Sequence, residues 1–88
     1  MKQADHVIIG IHVRDRERRV PGIQKILTRF GGHIRTRIGL HEVSGSYSSR
    51  NGLILVELVG PQSRITQFCK ALAVLKGVEV QAMVFGHD

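Results

Sequence analysis

Four segments of the chain alternate apolar and other residues with period two, and two segments repeat apolar residues at helical spacing. In residues 6–14 the apolar alternation is carried by Val7, Ile9, Ile11 and Val13, which indicates a strand with one apolar face. Residues 33–42, 53–59 and 78–85 are the other three predicted strands. The segment LILVELV at 53–59 is apolar on both parities except at Glu57, which is typical of a central strand.

The first helix is predicted after DRERRVPG, from apolar residues at i, i+3, i+4 and i+7: Ile23, Ile26, Leu27 and Phe30. Asp15 is a candidate helix cap, and Pro21 suits the first turn, where a missing N–H costs nothing. Gly31 and Gly32 are expected to end this helix, because glycine adopts the left-handed conformation easily.

The second helix is predicted to carry Pro61 in its first turn and to end at Lys76-Gly77. Its buried face is formed by Ile65, Phe68, Cys69, Leu72 and Leu75. Between the second and third strands, VSGSYSSRNG is rich in Ser and Gly and ends in Asn51-Gly52. This composition predicts a ten-residue turn that makes the two strands a long hairpin.

The order of elements is therefore β-α-β-β-α-β in one domain spanning residues 1–88. With right-handed crossovers, this order gives a four-stranded antiparallel sheet with both helices on one face, the α+β ferredoxin-like fold. The first and third strands are expected in the middle of the sheet, with the second and fourth at its edges.

The helices leave one side of the sheet uncovered, which we call the open face. Its predicted members are Ile8, His12, Arg35, Arg37, His41, Leu53, Leu55, Glu57, Val59, Met83 and Phe85. An apolar centre flanked by Arg and His is typical of an interface. We therefore expect a second copy of the chain to cover this face, which makes the protein a homo-oligomer, a dimer or a tetramer.

Composition adds three constraints. The formal net charge of +6 is compatible with an anionic partner such as nucleic acid, and nine of the 13 basic residues are Arg, which suits bidentate recognition of carboxylate or phosphate. Cys69 is the only cysteine, which excludes an internal disulfide and favours a buried, cytoplasmic thiol. The chain contains no apolar run long enough to cross a membrane, and MKQADH has no apolar segment of the kind found in signal peptides.

Two basic segments are candidate binding sites. In HIRTRIGLHE the predicted strand carries Arg35, Arg37 and His41 on one parity. These arginines protect a sheet edge, pair with Glu57 or a partner's carboxylates, or hold a small anion or a nucleic-acid phosphate. RDRERR, at the end of the first strand, is a solvated helix start or a second anion site.

Motifs of other proteins with this fold are missing from the sequence. The third strand has no aromatic residue to stack RNA bases, and the loop after the first strand lacks the glycines of a phosphate cradle. No nucleophile–base pair is recognisable, so we expect no enzymatic activity. No cofactor is expected; His12 and His41 are the alternative candidates for metal binding, in a site that needs a second chain.

Three segments together carry a resemblance to a known family: IIGIHVRDRE, IQKILTRFGGHIRTRIGL and GLILVELVGPQSRITQFCKALAVLKGVEVQAMV. They resemble the small regulators associated with the iron-only hydrogenase system, over residues 6–85. The resemblance implies an ACT-like version of the ferredoxin-like fold, similar to the ligand-sensing half of nickel-responsive repressors. It also implies a regulatory or sensor role.

The chain departs from these relatives in two respects. Nickel-responsive repressors carry a His-x-His pair that this sequence lacks, and the 42–51 loop is longer than usual in the hydrogenase-associated regulators. No DNA-binding helix-turn-helix is present, so transcriptional regulation would require a partner protein or the basic surface itself. We expect a small anionic ligand at a subunit boundary, near Arg14, Asp15 and Arg16 or near Arg35, Arg37 and His41. The alternatives are a nickel-type metal sensor and a basic nucleic-acid-binding module.

Overall fold

The computed structural model describes residues 6–44 and 47–86. Its strands are β1 (His6–Val13), β2 (Ile34–Ser44), β3 (Tyr47–Leu58) and β4 (Val78–Phe85), and its helices are α1 (Arg16–Arg29) and α2 (Gln62–Ala73). The four strands form one antiparallel sheet in the order β2-β3-β1-β4. The predicted ferredoxin-like fold is confirmed, and so is the central position of β1 and β3.

The core lies between the sheet and the two helices. The helix-facing residues of β1 alternate with less buried neighbours along the whole strand, and Ile9 and Ile11 are fully buried. Phe30 at the end of α1 packs edge-to-face against Phe68 of α2, with ring centroids 5.4 Å apart. Gly22, in the middle of α1, lies beside Leu75, just beyond α2. The two helices therefore run antiparallel across the sheet.

Helix α1 begins earlier than its proline suggests. Its first backbone hydrogen bonds run from the N–H groups of Arg18 and Arg19 to the carbonyl of Asp15. Pro21 consequently lies inside the helix, not in its first turn, at the cost of one backbone hydrogen bond. Asp15 occupies the cap position in the left-handed conformation, with φ of 55°, and its side chain makes no capping hydrogen bond.

Helix α1 ends just before Gly31 and Gly32, as predicted, but the predicted left-handed conformation of these glycines is wrong. Gly31 and Gly32 form a short 3₁₀ turn with His33, and neither has a positive φ. The turn is closed by the backbone N–H of His33, which donates to the carbonyl of Phe30. Positive φ occurs instead at Gly60 and Gly77, which lead into α2 and β4.

The predicted ten-residue turn between β2 and β3 is also wrong. The backbone ladder continues far into this segment, with Val43 paired to Ser48 and Ser44 paired to Tyr47. Backbone pairing does not require apolar side chains, so a polar, serine-rich sequence extends both strands. Only residues 45 and 46 of the hairpin lie outside the described part of the chain. Within that described part, no helix is long and apolar enough to cross a membrane.

Candidate functional site

A bulge in β2 decides which of its residues reach the open face. Ile34 pairs with Leu58, but the next pair joins Thr36 to Glu57, so Arg35 is an extra residue. One inserted residue exchanges the two faces of a strand from that point onward. Beyond the bulge, the register positions of Thr36, Ile38 and Leu40 are therefore on the open face.

The same bulge separates the arginines of the predicted anion site. Arg35 lies at the bulge, close to Glu57 on the open face. Arg37 pairs with Val56, whose side chain is buried against the helices, so its register position belongs to the helix side. His41 pairs with Gly52, the partner of Val13, and its register position is likewise on the helix side. The prediction that Arg35, Arg37 and His41 share the open face is wrong.

The open face is apolar across all four strands. Its central row joins Ile38 of β2, Leu55 of β3, Gly10 of β1 and Gln81 of β4. Large apolar side chains are left about half exposed there: Ile38 at 49%, Met83 at 55% and Phe85 at 53%. Half-exposed apolar side chains grouped on one side of a sheet are typical of an interaction surface.

A depression of about 300 Å³ lies in the middle of the open face. Gly10 forms its floor, because this residue has no side chain to fill the space between β3 and β4. The walls are formed by His12, Leu53, Glu79 and Gln81. His12 Nδ1 lies 3.8 Å from the carboxylate of Glu79, which places an ionisable pair at one end of an otherwise apolar groove.

Glu57 organises the polar groups at the other end of the open face. Its carboxylate accepts a hydrogen bond from the hydroxyl of Thr36 at 3.4 Å. One of its oxygens also lies 3.4 Å from His6 Nδ1 and 3.9 Å from an amino nitrogen of Arg35. The expected pairing of Arg35 with Glu57 is therefore present. Both groups are partly exposed, so we assign little stability to this contact.

The Arg14–Arg16 segment lies at the opposite end of β1 from Glu57. Arg14 is exposed, and its backbone N–H donates to the carbonyl of Gly77 at 2.9 Å. Gly77 has a φ of 79°, and a Cβ there would lie 3.1 Å from Arg19 Nε, an atom buried without a hydrogen-bond partner. This junction joins β1, α1 and β4, and it places Arg14 two residues beyond His12 of the groove.

The two metal candidates do not meet within one chain. His12 pairs with Leu53, on the open face, whereas the register position of His41 is on the helix side. Among the side chains that the structure describes, no group of three or more His, Cys, Asp or Glu could hold a metal ion. Cys69 is half-buried, and burial raises the pKa of its thiol.

One cluster was missed by reasoning from the sequence. His33 was expected in β2, but it lies in the 3₁₀ turn, where its Nδ1 is 3.1 Å from the carbonyl of Val59. Its Nε2 accepts a hydrogen bond of 3.4 Å from Nε of Arg64. The guanidinium groups of Arg29 and Arg64 lie 5.2 and 4.9 Å from the centre of the Phe30 ring. Arg64 is 31 residues from His33 in the sequence, so no local pattern links α2 to the end of α1.

Comparison with solved structures supports the fold. An uncharacterized protein from Thermotoga maritima matches with a TM-score of 0.79 and 23% identity, over 93% of this chain and 98% of that chain. CPII from Thiomonas intermedia, a nitrogen regulatory PII-like protein bound to ADP, AMP and bicarbonate, matches with a TM-score of 0.56 and 12% identity, over 96% of both chains. A functionally unknown protein from Pediococcus pentosaceus matches with a TM-score of 0.53 and 11% identity, over 97% of this chain and 93% of that chain.

The fold is ferredoxin-like and is shared with a PII-like protein. At these identities the likeness shows the fold alone. No protein-family model matches the chain, and none of the curated proteins matches it. The resemblance to hydrogenase-associated regulators therefore stays a prediction.

Proposed function

We propose that this protein is a small regulatory protein that assembles through its open face and binds a small anionic ligand where two copies meet. The observation that carries the proposal is the apolar surface that crosses all four strands, with Ile38, Met83 and Phe85 each about half exposed. Burying such side chains in a second copy would stabilise an assembly by roughly 1 kcal/mol each. A regulatory, non-enzymatic role agrees with the absence of a recognisable nucleophile–base pair in the sequence.

The ligand site proposed here is the groove above Gly10, together with the start of the Arg14–Arg16 segment. The groove supplies one apolar wall, Leu53, and three polar side chains, those of His12, Glu79 and Gln81. Arg14 follows His12 by two residues, roughly 7 Å along the chain, so its guanidinium can reach an anion at that end of the groove. A partner's open face would cover the groove and exclude water from it.

The finer proposal is that the regulated system is of the hydrogenase type. Its support is the sequence resemblance over residues 6–85, including IQKILTRFGG and IRTRIGL. The PII-like neighbour was solved with ADP, AMP and bicarbonate, so anions of these kinds are sensible first ligands to test. Divalent metal ions belong in the same panel, because His12 and Glu79 would supply two donors to an ion completed by a second copy.

Assembly is tested by light scattering on the purified chain over a range of concentrations. We expect a dimer or tetramer, and we expect Phe85→Glu to raise its dissociation constant at least about tenfold, since a charge would be buried against apolar side chains. Val74→Glu is the matched control, because Val74 is 81% exposed but lies at the end of α2, away from the open face. A monomer at all concentrations, or equal effects of the two variants, would contradict assembly through this face.

Ligand binding is tested by melting temperature with ADP, AMP, bicarbonate, amino acids and divalent metals. A ligand present at about 100 times its Kd adds roughly 2.7 kcal/mol to the free energy of unfolding. Gly10→Ala is the diagnostic variant, because its Cβ would make ordinary contacts, 3.6 Å from Leu55 Cδ2, while occupying the floor of the groove. We expect this variant to melt normally without ligand and to lose the ligand-induced shift. A shift that survives Gly10→Ala would place the site elsewhere.

A further inference from the structure

The acidic residues that the structure describes are unevenly distributed between the two sides of the fold. The acidic residues with described side chains are Asp15, Glu57 and Glu79; the last two lie on the open face, and Asp15 lies at the start of α1. In contrast, residues 18–41 and 58–78 contain no acidic residue at all. These two stretches supply α2 and all of α1 beyond its first two residues.

Several basic residues of the two helices lie away from the sheet. We call this the helix surface, and its members are Arg18, Lys25, Arg29 and Arg64. On α1, Arg18, Lys25 and Arg29 follow at spacings of seven and four residues and form one stripe opposite the buried face. On α2, Arg64 lies on the side next to Phe30, whereas Lys70 lies on the other side of the helix, in a depression beside Val84 of β4.

Phe30 joins the two halves of the helix surface. The guanidinium groups of Arg29, from α1, and Arg64, from α2, lie 5.2 and 4.9 Å from its ring centre. Cation–π contacts place both groups beside one ring, where the end of α1 meets the start of α2, so the two guanidinium centres are at most about 10 Å apart. The described partners of Arg64 are His33 and Gln67, neither of which is an acid. This end of the helix surface therefore carries two positive charges that an anion can contact.

From this charge separation we infer that the helix surface binds the phosphate backbone of double-stranded DNA without reading its sequence. The α1 stripe spans roughly 17 Å, at 1.5 Å per helical residue. A DNA duplex presents about ten phosphates over that length. Arg and Lys side chains spread over this length can contact several of these phosphates.

The composition of the helix surface favours duplex DNA over two other polyanions. Phe30 and Phe68 are buried there, so the described side chains offer no aromatic platform of the kind that stacks single-stranded bases. An interface with an acidic protein is expected to include apolar anchors. The large exposed apolar side chains described on the helix side are Val74, at the far end of α2, and Val84, on edge strand β4, and neither lies on α1, which carries most of the helix surface. The inference is independent of assembly, because the open face and the helix surface lie on opposite sides of the sheet.

The test is fluorescence anisotropy with labelled 20-base-pair duplexes of two unrelated sequences, titrated with the protein at several salt concentrations. We expect equal, roughly micromolar affinity for both duplexes at low salt, falling steeply as salt rises. Arg29→Gln and Lys25→Gln should each lower the slope of log affinity against log salt by about 0.9. The double variant should weaken binding about tenfold or more. The cation–π contacts of Phe30 are with Arg29 and Arg64, not with Lys25. A loss of affinity in Lys25→Gln is therefore not explained by lost packing against Phe30.

Arg35→Gln is the matched control, because it removes one exposed guanidinium on the open face, beside Glu57, and should change affinity less than about twofold. Three outcomes would overturn the inference: no binding at low salt, equal losses in Arg29→Gln and Arg35→Gln, or affinity that does not depend on salt. Tighter binding of single-stranded DNA would overturn the duplex assignment. Displacement of the duplex by poly-glutamate at lower concentration than by unlabelled duplex would assign the surface to an acidic protein instead.

Discussion

Gly60 provides a sharp test of how the His33 cluster is built. This glycine has a φ of 125°, a conformation that residues with a side chain rarely adopt. A Cβ on Gly60 would lie 2.5 Å from His33 Nδ1 and 3.1 Å from Cε1. The imidazole ring of His33 would have to turn away from Gly60, and it would then lose its contact with the Val59 carbonyl at 3.1 Å.

The expected loss of stability in Gly60→Ala has two contributions, the positive φ and the lost hydrogen bond of His33. A non-glycine residue held at such a φ costs about 1–3 kcal/mol. The lost hydrogen bond of His33 adds about 1 kcal/mol. The free energy of unfolding should therefore fall by roughly 2–4 kcal/mol, which in a domain of this size lowers Tm by about 10–30 °C. Because His33 also accepts a hydrogen bond from Arg64, we expect weaker DNA binding by the helix surface as a secondary effect.

Urea unfolding of Gly60→Ala, Gly31→Ala and His33→Ala measures these terms. Gly31 is the control, because it has no positive φ and a Cβ there would meet nothing within 4 Å. In the His33→Ala background, Gly60→Ala should cost about 1 kcal/mol less than in the wild type, since the ring is gone and the backbone strain remains. If Gly60→Ala lowers the free energy of unfolding no more than Gly31→Ala does, neither the positive φ of Gly60 nor its closeness to the His33 ring is costly to a side chain. An equal cost with and without His33 would refute the ring contact alone.

Two further predictions concern the core and the thiol. Leu72→Ala should lower the free energy of unfolding by about 2–5 kcal/mol in a denaturation experiment, because Leu72 is fully buried. Val74→Ala, at an 81% exposed position, should change it by less than about 0.5 kcal/mol. Similar values for the two variants would contradict the packing of α2 in the structure. Burial raises the pKa of Cys69 above its ordinary value of 9.0, so the folded state holds this proton more tightly and the free energy of unfolding should fall as pH rises past 9.0. Comparing wild type with Cys69→Ala across that range isolates the effect, and parallel pH curves would show that the thiol is not buried enough to matter.

Much of the fold could be predicted because its signals are local. The alternation in β1 and the helical spacing of Ile23, Ile26 and Leu27 each lie within one element and match the buried positions of the structure. The β-α-β-β-α-β order then leaves few topologies that obey right-handed crossovers. The candidate site was less predictable. The arginines of β2 were assigned to the correct strand, but the bulge at Arg35 moved Arg37 to the other side of the sheet.

The sequence by itself determined the order of the elements, the apolar core and the excess of positive charge, since each depends on residue type and near-neighbour spacing. The tertiary structure alone decided the β2 register, the groove at Gly10, and the contacts of Phe30 with Arg29 and Arg64. It also decided that the acid-free stretches 18–41 and 58–78 supply α2 and all but the first two residues of α1, while Glu57 and Glu79 lie on the opposite side of the sheet. The physical reason is that a bulge changes the pairing of every later residue, and that a cluster or a charged surface depends on distances between residues remote in the chain.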